Sequence, residues 1–262
     1  VLTIEQLRAN IVNEQPEWQS NLGTLSREDL VKALYDSMFN RAPEAAGLEY
    51  WTTGGGKDVN ADQLVLALSN GASTTDRAAL DNKTEAATFY TENVDTYVPS
   101  QAASAVANVD SSASSLISAK GAVAVLAGGK NETLTSSIDT VTGTDKVDMF
   151  NAPILAMNSG DTIDGGAGSD TLYATLNADL DNKVVLTDVE NAYFTGLGGI
   201  TVDAKNFTGL EQLWSKDSTG KLTISNVSDA TTTLGFSGDN TNSIDATYAT
   251  GTLSGANDTI NV

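Results

Sequence analysis

The stretch that most constrains this chain is Gly165-Gly166-Ala167-Gly168-Ser169-Asp170-Thr171-Leu172-Tyr173, set in an Asp-rich segment that begins at Asn158. Closely spaced glycines permit a tight turn at positive φ and let backbone carbonyls approach one another. An aspartate follows the turn, and two positions later a large apolar side chain is placed to enter a core. Such a turn gathers carbonyl and carboxylate oxygens, the donor set of a hard divalent cation.

The pattern recurs at a fixed interval. Asp161-Thr162-Ile163 lies nine residues before Asp170-Thr171-Leu172, and Asp139-Thr140-Val141 lies nine before Asp148-Met149-Phe150, with Gly143 and Asp145 between. A further copy, Asp258-Thr259-Ile260, follows Gly255. Gly-Gly-x-Gly-x-Asp-x-apolar at a nine-residue interval is the repeat of a calcium-binding parallel β-roll. The expected calcium-binding positions are Asp139, Gly143, Asp145, Asp148, Asp161, Asp164, Gly166, Gly168, Asp170 and Asp258. Asp161 and Asp170 are expected to serve the same stack of turns. The plainer alternative is a set of Asp/Gly turns without metal.

Charge supports a cation-binding chain and excludes other classes. The 262 residues carry a net charge of −20, which opposes nucleic-acid binding, where Lys and Arg neutralise phosphates. Stacked aspartates repel one another, so folding is expected to be coupled to Ca2+. Cysteine and histidine are absent, which removes disulfides, thiolate chemistry, the usual serine triad and most transition-metal sites. The sequence isolates no carboxylate pair for catalysis, and the expectation is a protein that is not an enzyme. No apolar run is long enough for a membrane span, and no N-terminal signal peptide is visible.

The chain divides by pattern. Residues 1–127 read as helical: a capping box at Thr3-Ile4-Glu5-Gln6 opens a helix with Leu7 and Ile11 on one face. A second start at Ser26 leads a stripe of Leu30, Leu34 and Met38 beside Val31, Tyr35 and Phe39. Pro43 ends it, a short helix follows at Glu44–Trp51, Asn60 caps another, and a last one runs from about Asp76 to Tyr90. Tyr50 and Trp51 read as part of a helical core, with a sugar-stacking platform as the alternative. Gln101–Leu126 is one small-residue helix or two broken at Gly121.

Residues 128–262 read as the first part of a solenoid, with short Thr/Val/Leu/Ile strands between Gly, Asn and Asp turns. Leu186-Thr187-Asp188-Val189-Glu190-Asn191 recurs 21 residues later as Phe207-Thr208-Gly209-Leu210-Glu211-Gln212, which suggests one solenoid turn per repeat. Asp188, in this longer repeat without flanking glycines, reads as standing apart from the calcium turns. The fold class expected is therefore α+β and multidomain: an N-terminal all-α domain followed by a calcium-binding, right-handed parallel β-helix or β-roll.

Two stretches carry a resemblance. Tyr35, then Arg41-Ala42-Pro43, then Gly47-Leu48-Glu49-Tyr50-Trp51 resembles a helical bacterial domain of uncharacterised function that precedes calcium-binding repeats in exported proteins. The order of the two halves, and Leu134–Asp170 in particular, resembles the RTX-type surface-layer proteins of Gram-negative bacteria, best known in Caulobacter. That resemblance implies type I secretion, with the export signal removed or beyond residue 262, and an extracellular location at the cell surface. It also implies anchoring of the helical domain to lipopolysaccharide O-antigen, and calcium-dependent assembly of the solenoid with copies of itself. A calcium-dependent adhesin and a carbohydrate-active solenoid enzyme are the other readings the sequence leaves open.

Overall fold

A computed structural model describes residues 3–238 and 243–253. The chain forms two compact units, one of Val1–Thr91 with Tyr97–Ala119 and one of Glu92–Thr96 with Lys120–Val262. Its helices are α1 (Ile4–Glu14), α2 (Pro16–Ser20), α3 (Arg27–Phe39), α4 (Ala45–Thr52), α5 (Ala61–Asn70), α6 (Thr74–Asn93), α7 (Pro99–Ala107) and α8 (Ala113–Leu126).

Local chemistry explains most of these boundaries. Thr3 and Gln6 close a reciprocal capping box at α1, and the Ser26 side chain accepts the Asp29 N–H at α3. Helix α3 stops where Asn40 turns left-handed at φ 55°. All six apolar residues expected on its broad face are buried, and Leu64 and Leu68 of α5 join them in one core. One expectation fails here: Asn60 precedes α5 without a side-chain cap bond. Leu7 and Ile11 lie in α1 as expected and remain exposed. The small-residue stretch is two helices, but the break falls between Ala107 and Ala113. Gly121 lies inside α8, where a Cβ would collide with the Asn131 amide.

The strands are β1 (Asn131–Thr133), β2 (Thr140–Thr144), β3 (Met149–Ala152), β4 (Thr162–Gly166), β5 (Thr171–Leu176), β6 (Val185–Thr187) and β7 (Asn191–Gly196). They continue as β8 (Ile200–Asp203), β9 (Phe207–Thr208), β10 (Gln212–Lys216), β11 (Leu222–Val227), β12 (Thr233–Ser237) and β13 (Ile244–Tyr248). They stack in parallel as three sheets, β1-β3-β5-β7-β10-β12, β2-β4-β6-β9 and β13-β11-β8. This is a parallel β-solenoid. Alternation sets the inward face: β7 buries Ala192 and Phe194 and leaves Asn191, Tyr193 and Thr195 half-buried. Phe150, Ile163, Leu172, Leu186, Phe194 and Leu213 stack as a continuous apolar interior.

The register corrects the repeat length. Leu186 pairs with Phe207, as the 21-residue recurrence implies. In the Asp-rich part, however, Val141 pairs with Ile163 and Phe150 with Leu172. Residues 22 apart are therefore superposed there, while those nine apart sit on different sheets of the same coil.

Candidate metal centre

Asp161, Asp148 and Asp170, all buried, and the half-buried Asp139 form two columns. In the first, the Asp139 N–H donates to Asp161 Oδ1 across 22 residues at 2.8 Å. In the second, the Asp148 N–H donates to Asp170 Oδ1, also across 22 residues, at 2.7 Å, and the Asp170 N–H donates to Glu190 Oε2 at 2.7 Å. Asp161 and Asp170 consequently belong to separate stacks, contrary to expectation. The nine-residue interval separates the two columns within a coil, because Asp161 leads into β4 and Asp170 into β5.

Most of these carboxylates already have donors. Asp139 accepts the Thr135 N–H at 2.8 Å and the Thr135 hydroxyl at 3.0 Å. Asp161 spends its second oxygen on the Asn158 N–H at 2.6 Å. Asp148 accepts the Lys130 N–H on Oδ1, and the Thr144 N–H (2.6 Å) and hydroxyl (3.0 Å) on Oδ2. Asp164 is half-buried and accepts the Gly166 N–H at 3.2 Å, while Asp145 is exposed on its turn. Asp258 lies outside the described residues.

Asp170 differs. It is 0% exposed, and its Oδ2 is buried without a hydrogen-bond partner. Burial pushes its carboxyl up to about 7; the Asp148 N–H opposes that shift, and the Asp148, Glu190 and Asp164 carboxylates reinforce it. A buried acceptor left without a donor costs ~1–3 kcal/mol, more when charged.

The glycines shape this place. A Cβ on Gly165 would strike both the Asp188 carbonyl oxygen and Asp170 Oδ2, and one on Gly143 would strike the Gly165 carbonyl and Asp148 Oδ2. Gly166 and Gly168 hold φ of 93° and 130°, conformations that L side chains resist. Asp188, which the sequence sets apart, therefore brings its backbone carbonyl beside Asp170. Glu190 is the other group missed. Its only signal is the interval of 20 residues from Asp170, close to the 22 that separates Asp170 from Asp148.

The helical unit handles charge differently. Arg41 forms a two-pronged pair with Asp76 (Nε–Oδ1 and Nη2–Oδ2, each 2.7 Å) and reaches Glu44 at 2.8 Å. It also lies over the Tyr35 ring, 5.2 Å from the centroid. Arg27 donates to the carbonyls of Trp51, Val59 and Gly56, each at 2.9 Å, and so clamps the loop after α4. Trp51 packs on the α3 core while Tyr50 is half exposed. Both rings cover Gly56, where a Cβ would meet them. Helices α1, α2 and α5 enclose an apolar groove of ≈ 510 Å³ whose lining includes Ile4, Arg8, Ile11, Trp18, Val65 and Leu66.

Residues 9–75, which include Arg41, Glu44 and Tyr35 and end just before Asp76, match a family described as a domain of unknown function (DUF4214). No curated protein and no solved structure matches the chain.

The donors around Asp170 suit calcium in kind. They are hard oxygens, one of them a buried carboxylate oxygen in want of a partner, beside a backbone carbonyl. Among the described residues, no three acidic side chains converge as a metal cage. A cation held here would therefore draw on backbone carbonyls and water as well as on Asp170. No helix of the described residues is long and apolar enough to cross a membrane.

Proposed function

We propose that this chain is a calcium-dependent structural protein of a bacterial surface layer, of the RTX type. In this reading the solenoid is completed by Ca2+ and assembles with copies of itself, and the helical unit anchors to lipopolysaccharide O-antigen. The observation that carries the calcium dependence is the partnerless Asp170 Oδ2, held at 0% exposure among Asp148, Glu190 and Asp164. Calcium supplies charge neutralisation that no side chain in that column supplies, and it ties the Asp170 turn to the Asp188 carbonyl above it. The assembly and anchoring roles follow from resemblance: an acidic Asp/Gly solenoid preceded by the Tyr35–Trp51 helical pattern.

Electrostatics constrains the anchor. A chain of net charge −20 is repelled by anionic lipopolysaccharide, and the more so when the screening length grows from ~10 Å at 0.1 M to ~30 Å at 0.01 M salt. Recognition therefore falls to neutral sugars or to bridging calcium.

Electron microscopy of the full chain, with calcium and with chelator, tests the reading. Ordered two-dimensional arrays should form with calcium alone. A chain that stays dispersed at saturating calcium, yet binds an external ligand, would be an adhesin instead. Pelleting of the chain with vesicles of O-antigen-bearing or O-antigen-free lipopolysaccharide tests the anchor, and equal recovery from both would rule out the glycan.

A further inference from the structure

Asp148 and Asp170 occupy equivalent places in successive coils. Each is 0% exposed, and each uses Oδ1 to accept a backbone N–H from the preceding coil, Lys130 for Asp148 and Asp148 for Asp170. They part at Oδ2. The Thr144 backbone N–H and hydroxyl both donate to Asp148 Oδ2, and the hydroxyl in turn accepts the Lys146 N–H at 3.0 Å. That incoming bond leaves the hydroxyl proton directed at the carboxylate.

The β2–β4 register places Gly166 opposite Thr144. Glycine brings no hydroxyl, and the Gly166 N–H is turned to Asp164 Oδ1. Both donors that close the Asp148 turn are therefore withheld from Asp170, whose Oδ2 has no partner. A threonine cannot readily be restored there, because Gly166 sits at φ 93° and a Cβ would strike the Thr144 carbonyl.

We infer that Thr144 makes the Asp148 turn independent of metal, and that Gly166 makes the Asp170 turn the one between them that requires a divalent cation. Asp-x-apolar copies that look alike in sequence thus do different work. One is closed by a hydroxyl and a backbone N–H, the other by an ion. This inference rests on the calcium reading and specifies which turn it concerns. It also implies that Asp161, with both oxygens bonded to N–H groups, takes no part in binding the ion.

The test is calcium calorimetry and thermal melting on the full-length chain and its variants. Asp170→Asn should lower the number of calcium ions bound by one and make the solenoid less sensitive to chelator. Asp161→Asn should leave the number unchanged. Asp148→Asn sets an amide against the Thr144 N–H and can unfold that turn, so Thr144→Val decides the point. It keeps the carboxylate and removes one donor. Its melting temperature in chelator should fall below that of the parent, and saturating calcium should make up the difference. If Thr144→Val melts like the parent in chelator, or if Asp161→Asn loses an ion as Asp170→Asn does, the inference is wrong while the calcium reading survives. A parent chain that binds no calcium overturns both.

Discussion

The buried Asp76 of the helical unit meets a guanidinium group, whereas the buried Asp148, Asp161 and Asp170 of the solenoid meet backbone N–H groups. Asp76 is held by Arg41, and that bond keeps its carboxyl below the usual aspartate range. Asp170 faces Asp148, Glu190 and Asp164, and burial sends its carboxyl the other way. Both aspartates are buried, so burial alone does not decide which is strained; the partner does. The helical unit pairs its buried carboxylate, Asp76, with a guanidinium. The solenoid leaves Asp170 Oδ2 buried without a donor, and this is why we assign the proposed calcium demand to the solenoid.

Chelation should divide the molecule most sharply. In chelator the transition of the solenoid should fall or vanish, while a helical transition persists near its original temperature. At calcium one hundred times its dissociation constant, the linkage contribution is ~2.7 kcal/mol per site. Thermal melts followed by circular dichroism read both transitions, and a single transition shifting as a whole would dissolve the contrast.

Acidity should act on the two units in opposite directions. The folded value of Asp170, about 7, lies above its unfolded value. The chelated solenoid should therefore gain stability as pH falls from 8 through 7 toward 5, by at most about 2–3 kcal/mol. The folded value of Asp76 is lowered, so its contribution is present above the unfolded value, ~4, and is lost as pH falls below it. Denaturant titrations in chelator at pH 8, 6.5 and 5 give the solenoid's slope, and titrations continued to about pH 3 give that of the helical unit. A solenoid that weakens monotonically from pH 8 to 5 contradicts the assignment.

A substitution in the helical unit sharpens the same point. Arg41→Ala leaves Asp76, 6% exposed, without its main partner. The loss should be about 3 kcal/mol in the helical transition, the same with and without calcium. Smaller still is Ser26→Ala, at ~1 kcal/mol for a lost cap, set against Asn60→Ala at a few tenths. Asn60 makes no cap bond to lose.

These contrasts show how far the sequence could be read. The α3 stripe was legible because six apolar residues at helical spacing have one way to become buried. The 21-residue recurrence from Leu186 to Phe207 was legible because both ends of the repeat carry similar residues. The Asp-rich coils were harder to place. Asp139, Asp148, Asp161 and Asp170 lie both nine and 22 apart, and spacing alone does not say which interval is stacked. Strand pairing decides it. The contribution of Asp188 was hidden for another reason: it is a carbonyl, and a backbone oxygen leaves no mark on the residue type. Leu7 and Ile11 matched an amphipathic pattern, yet both are exposed, and Ile11 borders an open groove rather than a core.

The most direct test of the central claim is amide hydrogen exchange of the full-length chain, with calcium and with chelator, at pH 8. Calcium should increase protection in peptides covering 143–148, 164–171 and 188–191, the coils that meet at Asp170, and leave those covering 27–60 unchanged. Equal gains in both sets, or a gain confined to the helical peptides, would contradict the account.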